Sequence, residues 1–325
     1  MRVFFLLVIF LFSSLQAITI KGRIINGTTE SSGSAETLKI LNLRQGMQVI
    51  QEKKNVSGSF SFQNITGEAP FMLQATRQGV TYNQIVPPNK LNEIHNITVY
   101  DSTSSAKDIK IRSLVHFVRE KDQMLVFKLY MITNASLPPR TWSPDTPFEI
   151  YIPENAVSLN AGLNQGSGMT IPLNPEKGRE GYRINRSILP GSSSLELSYI
   201  LPAEDEADLV VEDKILFGNN DERILFLKPA DMKVVIDGTE RYEEVPNAPQ
   251  GLKGYNMLYK TGGTVSFALS GGTPVASTTK KRVLTNGDIF YDNIRSVIGL
   301  LAFVGLLFTF SFILSYREKQ GGNAA

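Results

Sequence analysis

From residue 18 to about residue 100, apolar and polar positions alternate with a period of two. Ile18, Ile20, Gly22 and Ile24 interleave with Thr19, Lys21 and Arg23. Leu38 and Ile40 flank Lys39, and Leu41-Asn42-Leu43 carries the pattern on. Phe60 and Phe62 sit among Ser59, Ser61 and Gln63. Phe71, Leu73 and Ala75 alternate with Met72, Gln74 and Thr76, and Ile97 and Val99 close the series. This is the period of half-buried antiparallel strands. Asn26-Gly27, Ser57-Gly58, Thr66-Gly67 and Gln78-Gly79 punctuate it at turn positions. About seven short strands at this spacing predict a β-sandwich over 18–100.

After a polar linker at 102–105 (STSS), the strand pattern resumes over 105–273. The segments are 109–118, 124–132, 148–152, 195–201, 224–228, 232–236, 256–259 and 264–269. Pro138-Pro139, Pro172, Pro175, Pro190-Gly191 and Gly262-Gly263 separate them, and only 204–214 has a weak helical period. The expectation is a second, larger antiparallel sandwich, or two small ones fused near residue 205. The whole chain is thus predicted to be all-β, apart from one C-terminal helix.

Two stretches have no alternation at all. Residues 4–12 (FFLLVIFLF) follow a short n-region with Arg2, and Ser13, Ser14 and Gln16 lead on to the small Ala17. That order predicts a secretory signal peptide over 1–17. Residues 296–316 (SVIGLLAFVGLLFTFSFILSY) carry no charge and are bracketed by Tyr291 and Tyr316. Twenty helical residues reach about 30 Å, the thickness of bilayer hydrocarbon, so this segment is predicted to span a membrane. A stalk at 274–295 would precede it and a tail at 317–325 would follow. The export signal would place 18–293 outside the cytoplasm and the C-terminus inside it. Arg282 and Arg295 balance Arg317 and Lys319, so flanking charge does not set the orientation.

GRIINGTT at 22–29, ETLKILNL at 36–43 and NVSGSFSFQNITGEAPFMLQA at 55–75 resemble a carboxypeptidase regulatory-like domain. Gly58, Phe60, Phe62, Ile65, Phe71, Leu73 and Ala75 carry the likeness. Asn55 stands where that family usually has Asp, and Glu68-Ala69-Pro70 replaces its usual Gly. The resemblance implies a prealbumin-type, seven-stranded sandwich over 18–100 that acts as an accessory module without catalysis. The runs VHFVREKDQMLVFKLYMITNAS, FEIYIPENA and YRINRSILPGSSSLELSYILP resemble the second domain of bacterial membrane-anchored envelope proteins whose role is itself unassigned.

Composition narrows the function classes. The chain has 325 residues and no Cys, which removes disulfides, thiolate metal sites, a Cys nucleophile and lipidated Cys. Without Arg2, Arg295, Arg317, Lys319 and Glu318, the polar middle lies within one charge of neutral. A nucleic-acid surface, which needs clustered basic residues, is not expected. An exported, cysteine-free chain of this size fits a bacterial envelope. Six N-x-S/T sequons, at Asn26, Asn55, Asn64, Asn96, Asn134 and Asn185, follow from a composition rich in Asn, Ser and Thr.

No catalytic, cofactor-binding or metal-ligating set is predicted. His95 and His116 are the only histidines, and nothing in the sequence brings them together or adds a third ligand. No G-x-S-x-G is present. Glu204, Asp205, Glu206, Asp208, Glu212 and Asp213, and the Asn219-Asn220-Asp221-Glu222 turn, lack the order of a calcium loop. GSG at 166–168 and TGG at 261–263 are not phosphate loops. Trp142, Tyr151, Tyr182, Tyr199 and Tyr255 could line a sugar or peptide groove or simply fill a core. Lys280-Lys281-Arg282 could touch anionic headgroups or belong to a soluble stalk. The expectation is a membrane-anchored, non-catalytic binding or assembly protein, with another envelope protein or a polymer as partner. A structural spacer and an envelope hydrolase with an accessory domain are the other readings.

Overall fold

The computed structural model describes residues 18–145, 147–165, 170–203, 208–217, 222–259 and 261–273. The expected signal peptide, stalk with Lys280-Lys281-Arg282, spanning helix and tail lie outside the described residues. So do 166–168, 204–207 and 219–221. Among the described residues no helix is long and apolar enough to cross a membrane. They form an all-β protein of several sheets.

The first part contains β1 (Ile18–Asn26), β2 (Ser31–Ser32), β3 (Ser34–Asn42), β4 (Gln48–Ser57), β5 (Ser59–Ile65), β6 (Phe71–Arg77), β7 (Val80–Val86) and β8 (Ile94–Val99). One antiparallel sheet has the order β4-β3-β6-β7. In the other, β1 pairs antiparallel with β2 and β5 and parallel with β8. The period-two residues Ile20, Ile24, Leu38, Ile40, Phe60, Phe62, Phe71, Leu73, Ile97 and Val99 share one buried cluster. Phe60 and Phe62 meet edge to face at 6.0 Å, and Ser59 and Gln63 point to solvent on the other side of β5. Gly22 has no Cβ because Phe60 and the carbonyl of His95 occupy that space. Gly58, at φ 65°, turns β4 into β5. The edge strand β4 buries no residue fully, which is why its sequence carries no strand signal.

The rest of the chain forms β9 (Ser102–Thr103), β10 (Ile109–Arg119), β11 (Gln123–Asn134), β12 (Thr141–Trp142), β13 (Phe148–Ile150), β14 (Val157–Gln165), β15 (Thr170–Leu173), β16 (Glu176–Lys177), β17 (Tyr182–Ile184), β18 (Gly191–Pro202), β19 (Leu209–Lys214), β20 (Glu222–Lys228), β21 (Lys233–Asp237), β22 (Arg241–Glu244), β23 (Lys253–Leu258) and β24 (Thr264–Ser270). A large sheet has the order β15-β14-β18-β11-β10-β20-β23-β22, and a smaller one the order β19-β24-β21. One hydrophobic cluster joins them across residue 205, with Phe117 of the large sheet meeting Phe267 of the small one at 5.5 Å.

Three expectations are corrected here. The large sheet is mixed, because β10 pairs parallel with β20; the intervening chain supplies the long crossover that parallel pairing requires. The expected linker at 102–105 begins with β9, which pairs parallel with β12. The weak helical period at 204–214 is strand over Leu209–Lys214, where Val211 and Asp213 face inward.

Polar contacts join the first part to residues 101–141. Arg77 Nη2 lies 2.8 Å from Asp101 Oδ1, and Asn26 Nδ2 donates to the same oxygen. The Arg77 hydrogen bond holds the Asp101 carboxyl below its ordinary pKa. The hydroxyls of Tyr82 and Thr141 are 2.9 Å apart, and Thr28 Oγ1 donates to the carbonyl of Pro139.

Candidate functional site

The outer face of the large sheet is built in rows set by strand register. Glu222, Arg112, Met131 and Ser194 lie side by side on β20, β10, β11 and β18. The next rows are Ile224, Leu114, Leu129 and Glu196, then Phe226, His116, Phe127 and Ser198, then Lys228, Val118, Leu125 and Ile200. Two residues of strand separate rows and one strand spacing separates columns, so the apolar centre covers roughly 300 Å² in the plane of the sheet. Phe127 is 42% exposed and Met131 37%. The other apolar side chains of these rows are partly exposed. A soluble face of a sheet ordinarily alternates to polar. Apolar patches of a few hundred Å² are often functional.

His116 stands in the middle of this area. Its ring lies 6.0 Å from that of Phe127 and 6.4 Å, edge on, from that of Phe226. Its Nε2 is buried with no hydrogen-bond partner among the described residues. Desolvation, then the nearby Lys228 charge, lowers its pKa, so the imidazole is neutral at neutral pH. Two hollows adjoin the apolar rows. One of about 360 Å³ is bordered by Arg112, Ile224, Arg241 and Asn256; one of about 710 Å³ is bordered by Lys110, Met131, Thr133 and Asn164.

The opposite side of the same sheet carries an unforeseen polar cluster. Lys128 Nζ lies 2.6 Å from Asp213 Oδ1 and also donates to the carbonyl of Tyr151. Both charged residues are 4% exposed. Burial opposes the Lys128 charge, but the Asp213 carboxylate outweighs it and raises the lysine pKa. Tyr259 donates to Asp213 Oδ2 at 3.5 Å, and the Arg223 guanidinium lies 5.7 Å from the Tyr259 ring. Burial raises the pKa values of Tyr130, Tyr199 and Tyr259. The cluster clamps β11 to β19 and is closed to a substrate. Its sequence signal lies in MLVFKLYMI, where Lys128 occupies an inward position of the period-two pattern between Val126 and Tyr130.

The other sequence candidates separate in space. His95 is buried, with Nε2 3.0 Å from the carbonyl of Lys90, while His116 is on the large sheet. No group of three metal-ligating side chains occurs among the described residues. Trp142 stacks on Phe148 at 5.6 Å, and its Nε1 donates to the carbonyl of Ser104. It borders a hollow of about 880 Å³, whereas Tyr151 borders another of about 280 Å³. Tyr199 and Tyr255 are buried, Tyr182 is half-buried, and the five aromatics share no groove. On the rim of the larger hollow, Glu149 accepts backbone N–H bonds from Glu180 and Arg179, which lower its pKa, and a bond from Arg183. Those charges satisfy one another. Sequon residues Asn26 and Asn134 are buried and hydrogen-bonded, whereas Asn55, Asn64, Asn96 and Asn185 are exposed. Among the described residues of the acidic stretch, Glu212 is exposed beside the inward Asp213, so these two carboxylates point to opposite faces. In comparisons with protein families and curated proteins, the chain matches no family model and no curated protein.

Proposed function

We propose that this chain is an exported, membrane-anchored, non-catalytic binding or assembly protein of a cell envelope. The outer face of the large sheet is its docking surface, and the partner is a protein with a flat apolar face of its own. The observation that carries this reading is the set of apolar rows around His116, on a sheet whose other face already has a complete core. Residues 18–100 act as a carboxypeptidase regulatory-like accessory module of prealbumin type, and 105–273 as the larger sandwich that docks. Residues 1–17 direct export, 274–295 form the stalk, 296–316 span the membrane once, and 317–325 end in the cytoplasm.

Membrane pull-down with the wild-type chain and with Phe127→Lys tests the docking face. A stoichiometric protein retained by wild type and lost with the variant is the expected result; equal retention by both overturns it. Topology has a separate test. A reporter active only outside the cytoplasm should work when joined near Ser277 and be silent after Gln320. The reverse pattern overturns the anchored reading.

A further inference from the structure

We infer that the partner on this face is a second copy of the same chain, with the strands of the two copies stacked antiparallel. This rests on reading the face as a docking surface. Its basis is the symmetry of the four rows. A two-fold axis running across the strands between the Leu114 and His116 rows lays each strand over its own equivalent with the row order reversed. Glu222, at one end of β20, then faces the second copy's Lys228, at the other end, and the pair occurs twice. Ile224 faces Phe226, Leu114 faces His116, Leu129 faces Phe127 and Met131 faces Leu125. Glu196 meets Ser198, an acceptor opposite a donor.

The charges permit self-association. The four rows carry Arg112 and Lys228 against Glu196 and Glu222, so the face is neutral and does not repel its copy. Arg112 and Glu222 already pair at 3.5 Å within one chain. The size also fits. The four strands that carry these rows give roughly 500 Å² in plane at ~4.8 Å per strand and ~6.8 Å per row, and the flanking β14, β15, β22 and β23 widen the face toward the about 800 Å² per partner of a standard interface. An apolar centre is interface anatomy, and aligned sheets stack about 10 Å apart. An isologous pairing of this kind closes on itself as a dimer.

The chain has no Cys, so an introduced thiol is unique. Ser198→Cys in the full chain, in membranes, would bring two thiols within about 12 Å in this stacking, inside the reach of a short bismaleimide. Val235→Cys, 67% exposed on β21 of the small sheet, is the control. The expected result is a crosslinked product of twice the chain mass from Ser198→Cys and none from Val235→Cys. In the Ser198→Cys background, Glu222→Lys and Lys228→Glu should each lower the dimer yield about fivefold, and the two together should restore it. A Ser198→Cys product containing only a different polypeptide overturns the self-pairing while leaving the docking surface standing. No Ser198→Cys product above the Val235→Cys level overturns both. Failure of the double charge swap to restore the yield overturns the antiparallel stacking.

Discussion

In the first part of the chain the cluster around Phe62, Phe71 and Ile20 is hydrocarbon, and no charged side chain is buried among its described residues. Its strands turn Ser59, Gln63, Lys39 and Glu52 outward. In the second part Lys128, Asp213 and Arg223 lie inside, while Leu114, Phe127 and Phe226 lie on the outer face. The comparison separates two uses of one architecture. The first part keeps its phenylalanines for its own core, and its exposed apolar groups are the aliphatic Met47, Val49 and Ile94. The second offers apolar surface outward and holds its two sheets together partly through a buried ion pair.

The sharpest way to break the comparison is inside the second core. Asp213→Ala should destabilise the protein by about 3–5 kcal/mol, because it strands the Lys128 ammonium without a counter-charge. Lys128→Met combined with Asp213→Leu should recover most of that loss, as an apolar pair of similar volume. Urea denaturation measures both; equal losses from the single and double variants would remove the ion pair's special place.

Next in size is the first core. Phe62→Ala should cost about 3 kcal/mol, whereas Ser59→Ala on the opposite face should stay within ~0.5 kcal/mol. Thermal unfolding decides this, and equal effects would mean that the two faces of β5 are not distinct.

Tyr82→Phe probes the join between the regions. It removes hydroxyl bonds to Thr141 and to the carbonyl of Tyr100, with an expected loss of about 1 kcal/mol. A stability curve unchanged by this substitution would show that those bonds add nothing net.

The smallest effect is a pH dependence from the outer face. The folded-state pKa of His116 is depressed, so the unfolded chain binds the proton more readily. The stability from the neutral ring is complete above its unfolded pKa of about 6.5 and is lost as pH falls through the folded value. Replacing His116 with Phe should flatten this part of the pH–stability curve. An unchanged slope below about pH 6.5 would assign it to other groups.

Much of the fold is legible along the chain because burial on one face leaves a period of two. The F-x-F of Phe60 and Phe62 and the inward residues of β10 and β11 stand out for that reason. Strand β4, at a sheet edge, and strand β14, next to one, do not, since both are held by backbone pairing and bury few side chains. The apolar outer face is present in LVHFV and MLVFKLYMI as runs in which both faces are apolar, but such runs read equally well as doubly buried strands.

The sequence alone thus determines the β class, the apolar faces, the absence of cysteine chemistry and the near-neutral middle, since each depends on local period or on composition. Tertiary structure decides which strands are neighbours, and with that everything that depends on long-range register. It sets Lys128 against Asp213, 85 residues apart in sequence. It also sets His116 between Phe127 and Phe226, and leaves the outer face of the large sheet uncovered among the described residues. Strand pairing is made by backbone groups that every residue carries, so its partners are chosen by the packing of the whole chain and not by any one segment.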